Sequence, residues 1–306
     1  MVNSNKEKIT VVVPVYNEVD SLVEMHRQIS DALNKTKYDF DIIFIDDGSK
    51  DGSKEVEAKI AAENHNVMVE SFIANKGKAA ALNKGFKIAD GDYIATIDAD
   101  LQDDPYAIPD MVEQIKITGV DLVSGWKIDR KDKFIKKHTS KIYNYFTRLL
   151  TGIKLHDCNN GLKVYKAKVV KNITVYGEMH RYIPVLAKQQ GFSSGEMRVR
   201  HFARKFGETK YGISRFWRGF FDLVTVKFVT QYFKKPMHFF GMWGSLSIFL
   251  GSMAEVYVLI LKCLFGHNFQ NHIAMMLLGA LLIILGIQFF SIGLISELIT
   301  YFSKKD

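Results

Sequence analysis

The stretch Thr96-Ile97-Asp98-Ala99-Asp100-Leu101-Gln102-Asp103-Asp104-Pro105 decides how the fold of this chain is interpreted. Residues 93–97 are rich in β-branched and aromatic side chains, which predicts a buried strand. Asp98 and Asp100 follow directly, and ligands of open α/β folds bind at the carboxyl ends of the strands. Two carboxylates at that edge suit a hard divalent cation that also holds a substrate diphosphate. A solvated turn is the alternative, because Asp and Pro are both common in loops.

Apolar runs that predict further strands alternate with helical patterns through the first half of the chain. The predicted strands cover residues 9–15, 41–45, 67–73, 93–97, 120–124 and 162–165, and the predicted helices cover residues 19–33, 78–89 and 111–117. This alternation predicts an α/β fold with a doubly wound, mostly parallel sheet. Acids and glycines fall at the strand C-termini, where such sheets bind ligands. The chain contains neither Gly-x-Gly-x-x-Gly nor Gly-x-x-x-x-Gly-Lys-Ser/Thr, so a phosphate would be held mainly by a metal and by basic side chains.

The C-terminal quarter of the chain is strongly apolar. Residues 237–261 contain one acid, Glu255, residues 273–295 contain no charge, and the two predicted spans are about 237–262 and 273–299. Each exceeds the roughly 20 residues that cross a bilayer. Lysines flank this pair of apolar runs. The polar residues 1–8 predict that no cleaved signal peptide is present. The positive-inside rule therefore predicts an integral membrane hairpin, with the N-terminal region and both termini in the cytoplasm. A buried helix pair in a soluble protein is the alternative.

The net charge of +8 comes largely from basic stretches in the second half of the chain. Residues 142–150 and 213–235 combine Lys and Arg with aromatic and apolar residues, which is typical of amphipathic helices at a membrane interface. Ordinary surface helices with solvated charge are the alternative. We expect no nucleic-acid partner, because the basic stretches adjoin apolar spans and no nucleic-acid-binding motif is present. The two cysteines, Cys158 and Cys263, do not form a disulfide framework.

Four motifs carry a resemblance to a known family. They are Val13-Pro14-Val15-Tyr16-Asn17-Glu18, Asp46-Asp47-Gly48-Ser49 with Asp51-Gly52-Ser53, Asn75-Lys76-Gly77-Lys78, and Asp98-Ala99-Asp100-Leu101-Gln102. In this order they resemble the successive motifs of family-2 glycosyltransferases, above all the polyprenyl-phosphate glycosyltransferases related to dolichol-phosphate mannose synthase. The resemblance covers residues 8–235. It implies an A-type glycosyltransferase fold, which is Rossmann-like, followed by amphipathic interface helices and a two-helix transmembrane hairpin.

The resemblance implies roles for residues on the donor side. Contacts with the nucleotide-sugar are implied for Pro14, Tyr16, Glu18, Asp46, Lys78, Asp98, Arg204, Thr209 and Lys210. Asp46 would take an edge of the base. Asp98 and Asp100 would hold Mg²⁺ or Mn²⁺ on the diphosphate, with Gln102 close to the metal or the sugar. Structural roles are the alternative for some of these residues: Tyr16 would pack in the core, and Asp46 would cap the turn that follows it.

The acceptor side is assigned from the same resemblance and from the basic stretches. Contacts with the acceptor phosphate are predicted for Arg130, Lys137, Ser140, His180 and Arg181. The last two lie in the run Gly177-Glu178-Met179-His180-Arg181-Tyr182-Ile183-Pro184, which resembles a signature of one branch of the family. Arginine suits bidentate binding of phosphate, although an ion-paired helix start is the alternative. Asp157 is predicted to be a base or an orienting group, and it completes the predicted catalytic set with Asp100 and Gln102.

Taken together, the sequence predicts a metal-dependent, inverting transfer of one sugar from a UDP- or GDP-linked donor to undecaprenyl or dolichyl phosphate. The predicted domains are residues 1–212 (catalytic), 213–235 (juxtamembrane helix) and 236–303 (hairpin), and relatives suggest a homo-oligomer. A processive polysaccharide synthase of the same superfamily is one alternative, although the chain lacks Gln-x-x-Arg-Trp and has only two predicted spans. A non-enzymatic membrane adaptor, binding anionic lipid through the basic helices, is the other.

Overall fold

The computed structural model describes residues 6–127, 152–177, 179–203 and 235–302. The chain divides into two compact units, Met1–Val226 and Lys227–Asp306. Several predictions lie outside the described residues. They are the interface helices at 142–150 and 213–234, and the roles given to Arg130, Lys137, Ser140, Arg204, Thr209 and Lys210.

A seven-stranded sheet forms the centre of the first unit. Its strands are β1 (Lys8–Val15), β2 (Asp39–Asp46), β3 (Val67–Ser71), β4 (Tyr93–Thr96), β5 (Leu122–Lys127), β6 (Lys163–Lys166) and β7 (Ser194–Val199). The strand order is β3-β2-β1-β4-β6-β5-β7. Neighbouring strands are parallel except at β6, which is antiparallel to both β4 and β5. The predicted mostly parallel sheet is therefore confirmed.

Helices connect these strands in the described part of the first unit. They are α1 (Leu22–Leu33), α2 (Ser53–Glu63), α3 (Lys78–Ile88), α4 (Ile108–Thr118), α5 (Ala167–Lys171) and α6 (Ile183–Gln189), with 3-10 turns at Pro105–Ala107 and Met179–Tyr182. Four of these elements were not predicted from the sequence: α2, α5, α6 and β7. The buried face of α2 includes the polar residues Ser53 and Glu57, so it lacks an apolar stripe. The β7 sequence Ser-Gly-Glu-Met-Arg-Val likewise lacks an apolar run.

Some element boundaries differ from those predicted. Helix α1 begins at Leu22 rather than at residue 19, because side chains of the next loop bind the preceding backbone. Ser53 Oγ accepts a hydrogen bond from the Glu18 amide at 3.1 Å, and an Asp51 carboxylate oxygen accepts one from the Val19 amide at 3.1 Å. These bonds tie the loop after β1 to the loop after β2, and they hold both loops at one edge of the sheet.

The core lies where the sheet meets its helices. Residues Ile9, Val11, Val12 and Val13 of β1 are fully buried, although they alternate between the two faces. A strand with both faces covered is expected to be a continuous apolar run, as this one is. One face packs against α1 and α4 through residues that include Met25. Because β1 lies between β2 and β4, the carboxyl ends of these three parallel strands lie side by side at one edge of the sheet.

Helix α2 carries a buried carboxyl group that the sequence analysis did not identify. Glu57 is fully buried, and neither of its carboxyl oxygens has a hydrogen-bond partner among the described residues. Burial, and then the negative charge of Asp46, raise the pKa of Glu57 to about 8. Removing this carboxyl from water without a partner favours its neutral, protonated form. The folded protein therefore retains a proton that the unfolded chain loses near pH 4.5.

Glu57→Gln is expected to remove a pH-dependent loss of stability. Between pH 4.5 and 8 the folded state holds the extra proton, so the wild-type free energy of unfolding falls as pH rises across this window. The total loss is roughly 3–5 kcal/mol. Chemical unfolding of the detergent-solubilised chain at pH 5 and pH 8.5 measures it. Glu63→Gln, an exposed position on the same helix, is the control and should follow the wild type. Equal pH dependence in Glu57→Gln and the wild type would contradict the assignment.

The second unit consists of α7 (Pro236–Phe265) and α8 (Ile273–Phe302), joined through a 3-10 turn at Phe269–His272. Each helix has 30 residues and is long and apolar enough to cross a membrane. The two helices pack through glycines seven residues apart, with Gly244 against the carbonyl of Gly286 and Gly251 against that of Gly279. Small residues let apolar helices approach closely in a membrane. The predicted pair of apolar helices is confirmed, and its orientation in a membrane stays a prediction.

Candidate active site

An open cleft lies at the carboxyl edge of the sheet. It is lined by the ends of β1 and β2, the start of α3 and the loop after β4. Six residues predicted from the sequence to contact a donor or a metal line it together: Pro14, Tyr16, Glu18, Lys78, Asp98 and Asp100. Tyr16 is 46% exposed, so it is not a core residue. The parallel order β2-β1-β4 explains the grouping, because it places three strand ends side by side.

The two acids at the end of β2 have different roles. Asp46 is fully buried, and its carboxylate accepts hydrogen bonds from the amides of Gly48 at 3.2 Å and Ser49 at 3.1 Å. It therefore caps the turn, and it does not appear among the described residues that line the cleft. Asp47 does line the cleft, where it accepts hydrogen bonds from the amides of Lys76 at 2.7 Å and Gly77 at 2.9 Å.

Two non-glycine residues beside the cleft adopt a left-handed backbone. They are Asn17, with φ of 55°, and Leu101, with φ of 57°. Such conformations are strained for residues with a Cβ, and they persist where surrounding contacts hold them. The Asn17 side chain accepts a hydrogen bond from the Lys50 amide at 2.9 Å, and the Asn17 amide donates to Ser49 Oγ at 2.9 Å. Leu101 lies directly after Asp100 and is buried. The backbone of Leu101 is therefore strained, whereas asparagine adopts this conformation more readily.

Asp98 is the acid at the centre of the cleft. Its carboxylate, 34% exposed, forms an ion pair with Lys78 at the start of α3. Burial raises the pKa of Asp98, but the charge of Lys78, its hydrogen bond to the carboxylate and the charge of Lys127 together outweigh burial, and the pKa lies below its usual range. The backbone of Gly161 lies so close that a Cβ added there would be 2.6 Å from the Asp98 Cγ. Asp98 is therefore ionised and closely confined.

The residues around Asp98 fit a divalent cation. Asp98 and Asp100 both line the cleft, and they offer carboxylate oxygens of the kind that Mg²⁺ and Mn²⁺ prefer. Among the described residues no cluster of three or more His, Cys, Asp or Glu could hold a metal. Two protein ligands, completed by phosphate and water, match the way Mg²⁺ is commonly bound. Gln102 lies nearby, and its backbone amide donates a hydrogen bond to a carboxylate oxygen of Asp100 at 3.2 Å.

A narrow inner chamber, with room for about one water molecule, adjoins the cleft. Lys78 and Asp98 line both cavities, and the chamber is further lined by Leu82, Thr96, Asn159, Asn160, Gly161, Lys163, His180 and Ile183. Burial, and then the charge of Lys78, lower the pKa of His180 to about 3, so its imidazole is neutral. His180 and Arg181 were both predicted to contact the acceptor phosphate, and of these two His180 lines the chamber. Arg181 is not among the described residues that line either cavity.

Asp157 lies close to the chamber without lining it among the described residues. It is 2% exposed, its carboxylate accepts a hydrogen bond from the Asn159 amide at 3.2 Å, and its carbonyl accepts one from Ser124 Oγ at 3.3 Å. Its charge acts to raise the pKa of Lys127 and of Lys163. This arrangement suits an orienting group, and the role of Asp157 as a base stays a prediction.

Similarity to known proteins establishes the family. Residues 10–174, more than half of the chain, match the profile of glycosyl transferase family 2. The chain belongs to this family. This transferase is 36% identical over 304 residues to a dodecaprenyl-phosphate galacturonate synthase from Rhizobium johnstonii, covering 96% of this chain and 89% of the relative. It is 32% identical over 291 residues to an undecaprenyl-phosphate 4-deoxy-4-formamido-L-arabinose transferase from Pseudomonas fluorescens, covering 94% and 84%.

Solved structures share the fold of the transferase at low sequence identity. Glucosyl-3-phosphoglycerate synthase from Mycobacterium tuberculosis, in complex with Mn²⁺ and UDP-glucose, superposes with a TM-score of 0.57 at 17% identity, covering 73% of this chain and 79% of that one. A mannosyltransferase from Pyrobaculum calidifontis, in complex with GDP-Man and Mn²⁺, gives 0.53 at 18% identity, covering 74% and 64%. The predicted A-type glycosyltransferase fold and the predicted glycosyltransferase activity class are confirmed.

The transferase contains further site residues that the sequence analysis missed. Asp103 is buried, with one carboxylate oxygen 3.1 Å from Lys127 Nζ and 3.4 Å from His201 Nδ1. Burial raises the pKa of Asp103, but the neighbouring Lys127 and His201 together more than offset burial, so the pKa lies well below its usual range. This ion pair anchors the loop after β4 to the end of β5. Asp103 follows Asp98 and Asp100 by only a few residues in the sequence. This proximity to the predicted metal ligands is the signal that could have identified Asp103 as a site residue.

Proposed function

We propose that the transferase moves a single sugar from a nucleotide-sugar to a polyprenyl phosphate. One observation carries the proposal: an acid-lined cleft at the sheet edge occurs in the same chain as two helices long enough to cross a membrane. The two named relatives, which match over most of their length, act on dodecaprenyl phosphate and undecaprenyl phosphate by their names. A long isoprenoid acceptor requires a membrane, and its phosphate must reach a catalytic unit outside the bilayer.

In this proposal the open cleft holds the nucleoside diphosphate of the donor. Tyr16 and Pro14 offer apolar surface to the base or ribose, and Asp47 rather than Asp46 is the acid available to polar groups of the nucleoside. Asp98 and Asp100 would hold Mg²⁺ or Mn²⁺. When bound, such a cation stabilises negative charge on the departing diphosphate. It would compete with Lys78 for Asp98, which leaves the Lys78 ammonium available to the donor phosphates.

The proposed reaction is a single displacement that inverts the anomeric carbon. An oxygen of the lipid phosphate attacks that carbon, and the bond from the carbon to the diphosphate breaks. The lipid phosphate is anionic at neutral pH, so it requires positioning in a cationic setting more than deprotonation. Proximity and fixed charges then provide most of the rate. Asp157 would orient neighbouring groups, since it is buried and its carboxylate accepts a hydrogen bond from the Asn159 amide.

The hairpin is proposed to anchor the transferase in the membrane, with both termini and the catalytic unit in the cytoplasm. Lysines lie on the N-terminal side of α7 and on the C-terminal side of α8, and the positive-inside rule places such residues in the cytoplasm. The 30-residue helices, about 45 Å long at 1.5 Å per residue, are longer than a hydrocarbon core of about 30 Å.

A transfer assay tests the proposed function. Radiolabelled UDP- and GDP-sugars are offered one at a time with polyprenyl phosphate and Mg²⁺ or Mn²⁺, and label is counted in the organic phase. We expect one class of donor to label the lipid with a single sugar, and we expect a chelator to abolish the label. A polymeric product would instead indicate a polysaccharide synthase. Absence of organic-phase label with every donor would contradict the proposal.

A further inference from the structure

Lys163 is a buried ammonium at the centre of the sheet. In β6 it pairs in register with Thr96 of β4 and with Ser124 of β5. It is 2% exposed, and its Nζ donates a hydrogen bond to the carbonyl of Asn160. Within the described ranges it forms no ion pair. Lysine is almost never fully buried unless it is paired, because removing an ammonium from water is costly. The charges of Asp157 and Asp98 act on Lys163 from nearby, but its ammonium has no ion-pair partner in the described structure.

The chamber that contains Lys163 has more positive than negative charge. Lys163 and Lys78 both line it, whereas Asp98 is its one acid among the described lining residues. Asp98 is already in an ion pair with Lys78. Nδ1 of the neutral His180 is buried without a hydrogen-bond partner in the described structure, so a further polar atom lies there unused. Burial and the charge of Lys78 lower the pKa of Lys163 to about 8, as expected of a setting that disfavours another cation.

The chamber also lies where the reacting groups of the proposed function would meet. Lys78 and Asp98 form its boundary with the open cleft. A group in the chamber is therefore next to the position proposed for the donor diphosphate. A divalent cation on Asp98 would take this carboxylate from Lys78, and the chamber would then contain two ammonium groups without an acid partner.

We propose that the inner chamber is an anion subsite, in which Lys163 receives one oxygen of an anionic substrate group whose remaining atoms lie at the boundary with the open cleft. Two sources share this chemistry: the phosphate monoester of the lipid acceptor, and a carboxylate on the transferred sugar. Either would give Lys163 an ion-pair partner and would accept a hydrogen bond from its ammonium. The existence of the subsite does not depend on the proposed function, whereas the identity of its substrate rests on it.

Equilibrium binding tests the subsite without requiring catalysis. Inorganic phosphate and free glucuronate are titrated calorimetrically into the detergent-solubilised full chain, without donor or metal. We expect at least one anion to bind the wild type, and Lys163→Met to weaken that binding at least tenfold. Lys87→Met, an exposed position on α3, is the matched control and should bind like the wild type. If Lys163→Met does not fold, Lys163→Arg should retain binding and Lys163→Gln should lose it. Binding that is absent in the wild type or unchanged in these variants overturns the proposal.

Steady-state transfer then distinguishes the two sources. If the group is the acceptor phosphate, Lys163→Met raises KM for polyprenyl phosphate at least tenfold and leaves KM for the donor unchanged. If it is a sugar carboxylate, the variant raises KM only for donors that carry a uronic acid. Unchanged KM values for both substrates overturn the proposal. Failure of every donor to support transfer would instead contradict the proposed function, and the calorimetric result would still decide whether the anion subsite exists.

Discussion

Asp100→Asn is expected to lower the rate of sugar transfer at least about a thousandfold while the protein stays folded. The amide has nearly the shape of the carboxylate but no charge, so it holds a divalent cation poorly. Stabilisation of a departing group by a metal is worth several kcal/mol, and about 1.4 kcal/mol corresponds to tenfold in rate. The initial rate of organic-phase labelling, with the donor found for the wild type, measures this loss. Circular dichroism checks the fold.

Asp104→Asn is the matched control for this variant. Asp104 lies four residues further along the same acidic stretch, where its carboxylate accepts a hydrogen bond from the Tyr106 amide at 3.1 Å and begins a 3-10 turn. Asparagine caps such turns as well as aspartate does, so this variant should keep at least about half of the wild-type rate. Equal activity in Asp100→Asn and Asp104→Asn would remove Asp100 from the metal site.

Gly161→Ala is expected to reduce transfer roughly a hundredfold through contact with Asp98. The added Cβ would be 2.6 Å from the Asp98 Cγ and 2.7 Å from both carboxylate oxygens, so the carboxylate must move. Displacing a catalytic group by about 1 Å commonly costs 10²-fold in rate. Gly161 does not have a left-handed backbone, so alanine introduces no conformational strain of its own. The same labelling assay measures the loss of rate.

Gly195→Ala controls for the general effect of adding a methyl group to this sheet. In β7 the new Cβ would be 3.4 Å from its nearest neighbour, a side-chain atom of Val120, which is an ordinary contact. This variant should transfer sugar within about twofold of the wild type. If Gly161→Ala were as active as Gly195→Ala, the close confinement of Asp98 would have no bearing on catalysis.

The strand ends were predictable because their sequence patterns are strong. The apolar run at residues 9–15 and the β-branched run at 93–97 each correspond to a buried strand, and the acids after them line one cleft. Parallel order alone then brings together residues that are far apart in sequence. The hairpin was predictable from the length of its apolar runs. Elements with polar buried faces, such as α2 and β7, lack those patterns.

The orientation of neighbouring side chains was less predictable. Asp46 and Asp47 are adjacent acids at a strand end, where successive side chains point to opposite sides. The pattern shows that one acid faces inward and the other outward, but not which. The family resemblance implied a base contact for Asp46, whereas the Asp46 carboxylate caps the turn and Asp47 lines the cleft.

Contacts between residues on different strands could not be predicted from the sequence either. Lys163 is buried because β6 runs antiparallel between β4 and β5, and nothing in the local sequence fixes that position. The Asp103–Lys127 ion pair joins the loop after β4 to the last residue of β5 in the same way. Charges brought together by topology are visible only once the strand order is known.

Binding of Mn²⁺ tests the central claim, a cation held by Asp98 and Asp100 against a nucleoside diphosphate, most directly. Electron paramagnetic resonance counts free Mn²⁺ during titration of the solubilised chain with UDP or GDP present. We expect one bound Mn²⁺ per wild-type chain, tighter with the nucleotide than without it. Loss of that site in the Asp98→Asn, Asp100→Asn double variant is the predicted result. A double variant that bound Mn²⁺ as tightly as the wild type would contradict the account.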